Sequence, residues 1–126
     1  MSKSKMPTKA DAPDKQILYA MISMPMGGKS KEEIDEVFEK TKANLEKMGL
    51  VVFDTRFHLD EDMMNVFRVK NRPLQYLAES LNMMSKCDLV YFVKGWEEAR
   101  GCRVEHHAAK EYNLAMLYEE YHADED

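Results

Sequence analysis

The chain has 126 residues, enough for one domain with its own core. Eighteen Lys and Arg stand against 23 Asp and Glu, a formal charge of −5, which gives no electrostatic case for a nucleic-acid surface. No apolar run approaches the roughly 20 residues of a membrane span, and no signal-peptide pattern opens the sequence. Cys87 and Cys102 are the two cysteines, read as free thiols in a reducing cytosol rather than as a disulfide framework. Eleven methionines signal a pliable apolar interior before they signal a metal or a redox role.

Residues 1–16 carry four Lys, two Asp and two Pro and read as a disordered or loosely attached arm. Ile17 to Ser23 is a short continuous apolar run, as expected of a central parallel strand covered on both faces. Met24 to Ser30 follows as a turn-forming loop. Ser30 is a good N-cap, and Glu33 completes a capping box. Ile34, Val37, Phe38, Thr41, Leu45 and Met48 then fall on one stripe at helical spacing. Gly49 ends that helix at the C′ position. Leu50 to Phe53 is a second strand, and 60–67 reads as a short helix within a mixed segment. Arg72-Pro73 opens a further helix, marked by Leu74, Leu77, Ala78, Leu81 and Met84. Asp88 to Val93 is a third strand, Gly101 to Asn113 the last helix, and Leu114 to Tyr118 a final strand. Residues 119–126 read as an acidic tail. Strands alternating with helices predict an α/β fold, a small parallel sheet of four or five strands with helices on both faces.

Several motifs carry chemistry. Gly28-Lys29-Ser30 after a strand suggests a phosphate loop, but the motif needs a glycine where Ser23 stands. A tight turn plus a helix cap accounts for it better, with exposed backbone N–H groups available to a ligand. Cys102 and His106 are spaced i, i+4, and His58 is the other obvious metal candidate. Zinc wants three or four such ligands, so packing or surface roles are favoured and no metal is expected. Cys102 with His106 would also suit an activated thiol pair, though no third, orienting group is evident. Glu105 lies in the first turns of a helix that follows a strand and loop. In open α/β sheets that is where ligands bind, although most helix glutamates only solvate a face. Trp96 reads equally as a packing residue.

The run from Lys86 to His106, with Asp88 at the strand, Gly95-Trp96, and Gly101 four residues before Glu105, resembles the nucleoside 2-deoxyribosyltransferase superfamily. The resemblance is nearest to its small, phage- or prophage-borne branch. It also takes in Leu18 to Gly28 and spans most of 17–118. It implies a Rossmann-like three-layer sandwich that cleaves the N-glycosidic bond of a nucleoside or nucleotide, passing the sugar to a second base or to water. Glu105 would be the nucleophile. Ser23, Pro25, Met26, Gly27 and Gly28 would line the base and sugar pocket, with His58 and Trp96 also binding substrate. Gly101 would face a 5′-phosphate, with Arg103 or Arg100 as counter-charge. No cofactor, metal, nucleic acid or membrane is implied. The setting is the cytoplasm, and the assembly is a homodimer or higher homo-oligomer. Two positions depart from the family pattern. Ala99 stands where monophosphate hydrolases have a serine, and Ser80 where an aspartate assists at the sugar or base. Glu79, Glu97 or Glu98 would have to supply the acid for the leaving base. The departures keep a second reading open, a nucleotide-binding sensor or regulator that has lost catalysis. A plain protein-contact domain is the third.

Overall fold

The computed structural model describes residues 16–57 and 59–119. The expected arm up to residue 15, the acidic tail beyond Glu119, and His58 lie outside the described residues. The elements run β1 (Leu18–Ser23), α1 (Lys31–Lys47), β2 (Leu50–Val52), α2 (Glu61–Val66), α3 (Arg72–Met84), β3 (Leu89–Phe92), α4 (Arg100–Glu111) and β4 (Ala115–Tyr118), with a 3-10 turn at Trp96–Glu98. The four strands form one parallel sheet in the order β2-β1-β3-β4. No fifth strand occurs among the described residues.

Side-chain alternation along the strands sends alternate residues to opposite faces. Ala20 and Ile22 pack with Phe38 and Leu45 of α1 on one face. Met21, Val90 and Phe92 pack with Met84 of α3 and Ala109 of α4 on the other. Helices thus cover both faces of the sheet, the three-layer Rossmann-like sandwich expected from the alternation of elements.

Local chemistry fixes the element ends. The Ser30 side chain accepts from Glu33 N at 3.0 Å, and the Glu33 carboxylate accepts from Ser30 N at 2.8 Å, so both halves of the capping box are made. Gly49, at φ 90°, closes α1. Helix α4, expected to run to Asn113, ends at Glu111. Asn113 adopts φ 61°, with Leu114 N bonded to Ala109 O and Asn113 N to Lys110 O, a Schellman closure. Asp60 caps α2 through Asp62 N and Met63 N. At the amino end of the sheet, Tyr19 N donates to the Asp88 carboxylate at 2.7 Å and Asp88 N to Tyr19 O at 2.8 Å. Asp88 therefore joins β1 to β3.

The strand order reverses between β1 and β3. The chain leaves β1 for α1 on one face and leaves β3 for α4 on the other. A crevice opens where these two exits diverge, outside the carboxyl ends of the strands. Gly95, at φ 95°, lets the exit from β3 turn beside Pro25; a Cβ there would meet Pro25 Cγ at 3.5 Å.

Candidate active site

A cleft of about 950 Å³ occupies that crevice, at the upper end of the range typical of small-molecule sites. The loop after β1 supplies Pro25, Met26 and Gly27. The start of α4 supplies Ala99, Arg100, Gly101 and Cys102. The segment after β2 adds Thr55, Arg56 and Phe57, and α3 adds Tyr76 and Ser80. Glu105, one turn further along α4, faces the same space.

Glu105 is 8% exposed. It is the one buried carboxylate among the described residues. Ser23, the last residue of β1, turns its side chain towards α4, and its Oγ donates to Glu105 Oε1 at 2.5 Å. Ser80 of α3 lines the same cleft as a second hydroxyl near that carboxylate. Burial pushes the Glu105 carboxyl above the usual carboxylate range, and the two hydroxyls pull it down without cancelling that effect. Among the described residues, no cation takes part in the balance.

The cations near the cleft divide into two groups. Arg56 donates to Asp35 and Glu39 at 2.9 Å and to Asp54 at 2.7 Å, and its guanidinium stacks 4.0 Å from the Phe38 ring centroid. The Asp54 hydrogen bond, joined by Asp35 and Glu39, holds Arg56 well above its ordinary value. Arg56 is thereby a strut between α1 and the loop after β2. Among the described residues, Lys29 and Arg100 border the cleft without an ion pair.

Of the residues singled out from sequence, Pro25, Met26, Gly27, Gly101 and Glu105 border one cleft. Ser23 is buried behind Glu105 and does not border it. Gly28 sits at φ 76° in the turn closed by Lys29 N to Met26 O at 3.2 Å, and Ser30 caps α1, so Gly28-Lys29-Ser30 is the tight turn and cap. Trp96 stacks on His106, with ring centroids 4.2 Å apart, within a group that includes Phe92 and Tyr118. It belongs to the packing of the α3/α4 face and is not among the cleft residues. The Arg103 guanidinium donates to Glu97 O at 3.1 Å and also lies outside the cleft lining; the arginine beside the cleft is Arg100.

Cys102 and His106 do not form an activated pair. Burial pushes the Cys102 thiol up to about 11, and His106 Nε2 is bonded to Tyr118 Oη at 2.7 Å. Among the described residues, no three His, Cys, Asp or Glu side chains converge as metal ligands. No helix among them is long and apolar enough to cross a membrane. Thr55, Phe57 and Tyr76 were missed from sequence. The signal was available for the first two, because they follow the carboxyl end of β2, on the side of the sheet where ligands bind.

A small Rossmann-like α/β domain, with one buried carboxylate at the base of its switch-point cleft, is the class of protein that fold and site define. The chain belongs to the family described as a domain of unknown function, DUF4406, whose model matches residues 18–118. No curated protein and no solved structure matches the chain.

Proposed function

We propose that the protein acts on the N-glycosidic bond of a nucleoside or nucleotide, with Glu105 as nucleophile. The observation that carries this reading is Glu105 itself, a buried carboxylate facing the cleft, whose hydrogen-bond partner among the described residues is the neutral hydroxyl of Ser23. Breaking a glycosidic bond develops positive charge on the sugar, at C1′ and the ring oxygen. A carboxylate without a cationic partner gains its counter-charge as that cation forms. It is therefore stabilised more in the transition state than in the resting site, which is the condition for catalysis. Glu105 then bonds C1′ as the base departs, and water or a second base releases the sugar.

The departing base needs a proton. Of the three glutamates considered for that task, Glu98 borders the cleft. Glu79 accepts from Gln75 Nε2 at 3.1 Å and lines a separate groove beside α2. Glu97 is not among the cleft residues. A 5′-phosphate would meet Arg100 and the first N–H groups of α4, which has no side-chain cap. A cytoplasmic homo-oligomer belongs to the same reading, and light scattering on the purified chain tests the assembly.

The test is incubation with deoxynucleosides and their monophosphates, with chromatography for free base. The parent releases base and Glu105→Gln does not. Equal release by the two proteins removes Glu105 as the nucleophile. The second reading, nucleotide binding without turnover, draws on Ala99 at the start of α4 and on Ser80, where an acid would assist. Tight nucleotide binding by calorimetry, with no base released, favours it over catalysis.

A further inference from the structure

Ser23 is expected from sequence to touch substrate, yet its geometry suits another task. The residue is 1% exposed and does not border the cleft. Its hydroxyl proton goes to Glu105 Oε1 at 2.5 Å. Ser80 of α3 lines the same cleft as that carboxylate. The carboxylate is carried by α4, so the three side chains come from three elements that meet only in the folded chain.

We infer that Ser23 is a positioning residue, a hydroxyl clamp that keeps the Glu105 carboxylate ionised and directed into the cleft. The inference rests on Glu105 being the nucleophile, but the clamp is a property of the resting protein and is measurable without turnover. Hydroxyls suit the task better than a lysine or arginine would. A cation would neutralise the carboxylate and weaken its attraction for a developing positive sugar. A neutral donor stabilises the anion and leaves its charge available. Serine also adds little conformational entropy to fix, unlike the long basic side chains. Because Glu105 lies where desolvation opposes ionisation, losing one donor should shift its titration visibly.

The experiment is a carboxyl titration of the full chain carrying 13C-labelled glutamate side chains. The Glu105 resonance is identified by its absence in Glu105→Gln. Ser23→Ala is expected to raise the Glu105 midpoint by roughly one to two units, the size of a lost hydrogen bond to a charged group. Ser23→Thr, which keeps the hydroxyl on a strand that tolerates β-branching, is expected to return it towards the parent value. A Ser23→Ala midpoint equal to the parent's overturns the clamp. If Ser23→Ala does not fold, as judged by circular dichroism, Ser23→Cys, whose thiol is a far weaker donor, carries the test, and an unmoved midpoint there overturns it equally. Base release that survives Glu105→Gln sinks the proposed reaction alone, because the titration does not depend on it.

Discussion

Replacing Glu105 by Gln is expected to make the protein more stable at neutral pH, by an amount that depends on pH in a defined way. The substitution keeps the shape of the side chain and an oxygen that accepts from Ser23 Oγ, and it removes the titration. In the unfolded chain Glu105 ionises near 4.5, and in the folded chain burial moves that step upward. Between the two values the folded state holds a proton that the unfolded state has released. Parent stability therefore falls as pH rises through this window, by at most about 1.4 kcal/mol per pH unit for one group. The Gln variant lacks that contribution, and the other titrating groups cancel in the difference. The stability gap should open above pH 4.5, widen with pH and level off above the folded-state value. For a domain of this size about 4 °C accompanies each kcal/mol, so the gap in Tm should grow by up to roughly 5 °C per pH unit inside the window. Urea unfolding of both proteins at half-unit steps from pH 4 to 8.5 measures it. A gap that stays constant across the range would show that Glu105 is not shielded from water. A gap that closes with rising pH would put the folded-state value below 4.5, against the effect of burial, and would remove the basis of the proposed reaction.

Two further expectations bear on the walls of the cleft. Phe38 is fully buried against the sheet and carries the Arg56 guanidinium on its ring. Phe38→Ala should cost about 3–5 kcal/mol, read by denaturant unfolding, and a loss under about 2 kcal/mol would mean that α1 settles onto the sheet without this ring. Gly101 has nothing within 4 Å of an added Cβ and borders the cleft. Gly101→Ala should fold normally and gain up to about 1 kcal/mol from the better helix former, while weakening nucleotide binding several-fold by calorimetry. Unchanged affinity would show that the ligand does not lie over the start of α4.

The fold was legible because its signals are local. The apolar run of β1, the capping box at Ser30 and Glu33, the stripe through Phe38 and Leu45, and Gly49 each act within a few residues. The errors at element ends have local causes too: α4 stops before Asn113, where an asparagine took the left-handed conformation more often given to glycine. The candidate site was legible only in part. Glu105 follows from the rule that strand ends bear ligands, whereas Pro25, Met26, Gly27 and Gly101 came with the resemblance to the deoxyribosyltransferase superfamily. The bond from Ser23 to Glu105 joins residues 82 apart in sequence, and no periodicity announces it. Trp96 shows the opposite difficulty. Its place in the sequence, next to Gly95 and near Glu105, suited a pocket, but the 3-10 turn swings the indole onto His106 instead. Arg56 carries no pattern in sequence, because its three acids come from α1 and from the loop that bears it.

The paired bonds between Tyr19 and Asp88 have a consequence at the far end of the sheet. They fix how β1 slides along β3, and strand side chains alternate between faces. A slip of one residue would carry the Ser23 hydroxyl over to α1 and bring the side chain of Ile22 or Met24 under Glu105. The carboxylate would then face hydrocarbon. A misaligned strand is thus rejected chemically as well as sterically, and an aspartate remote from the cleft decides whether Glu105 keeps its hydroxyl partner.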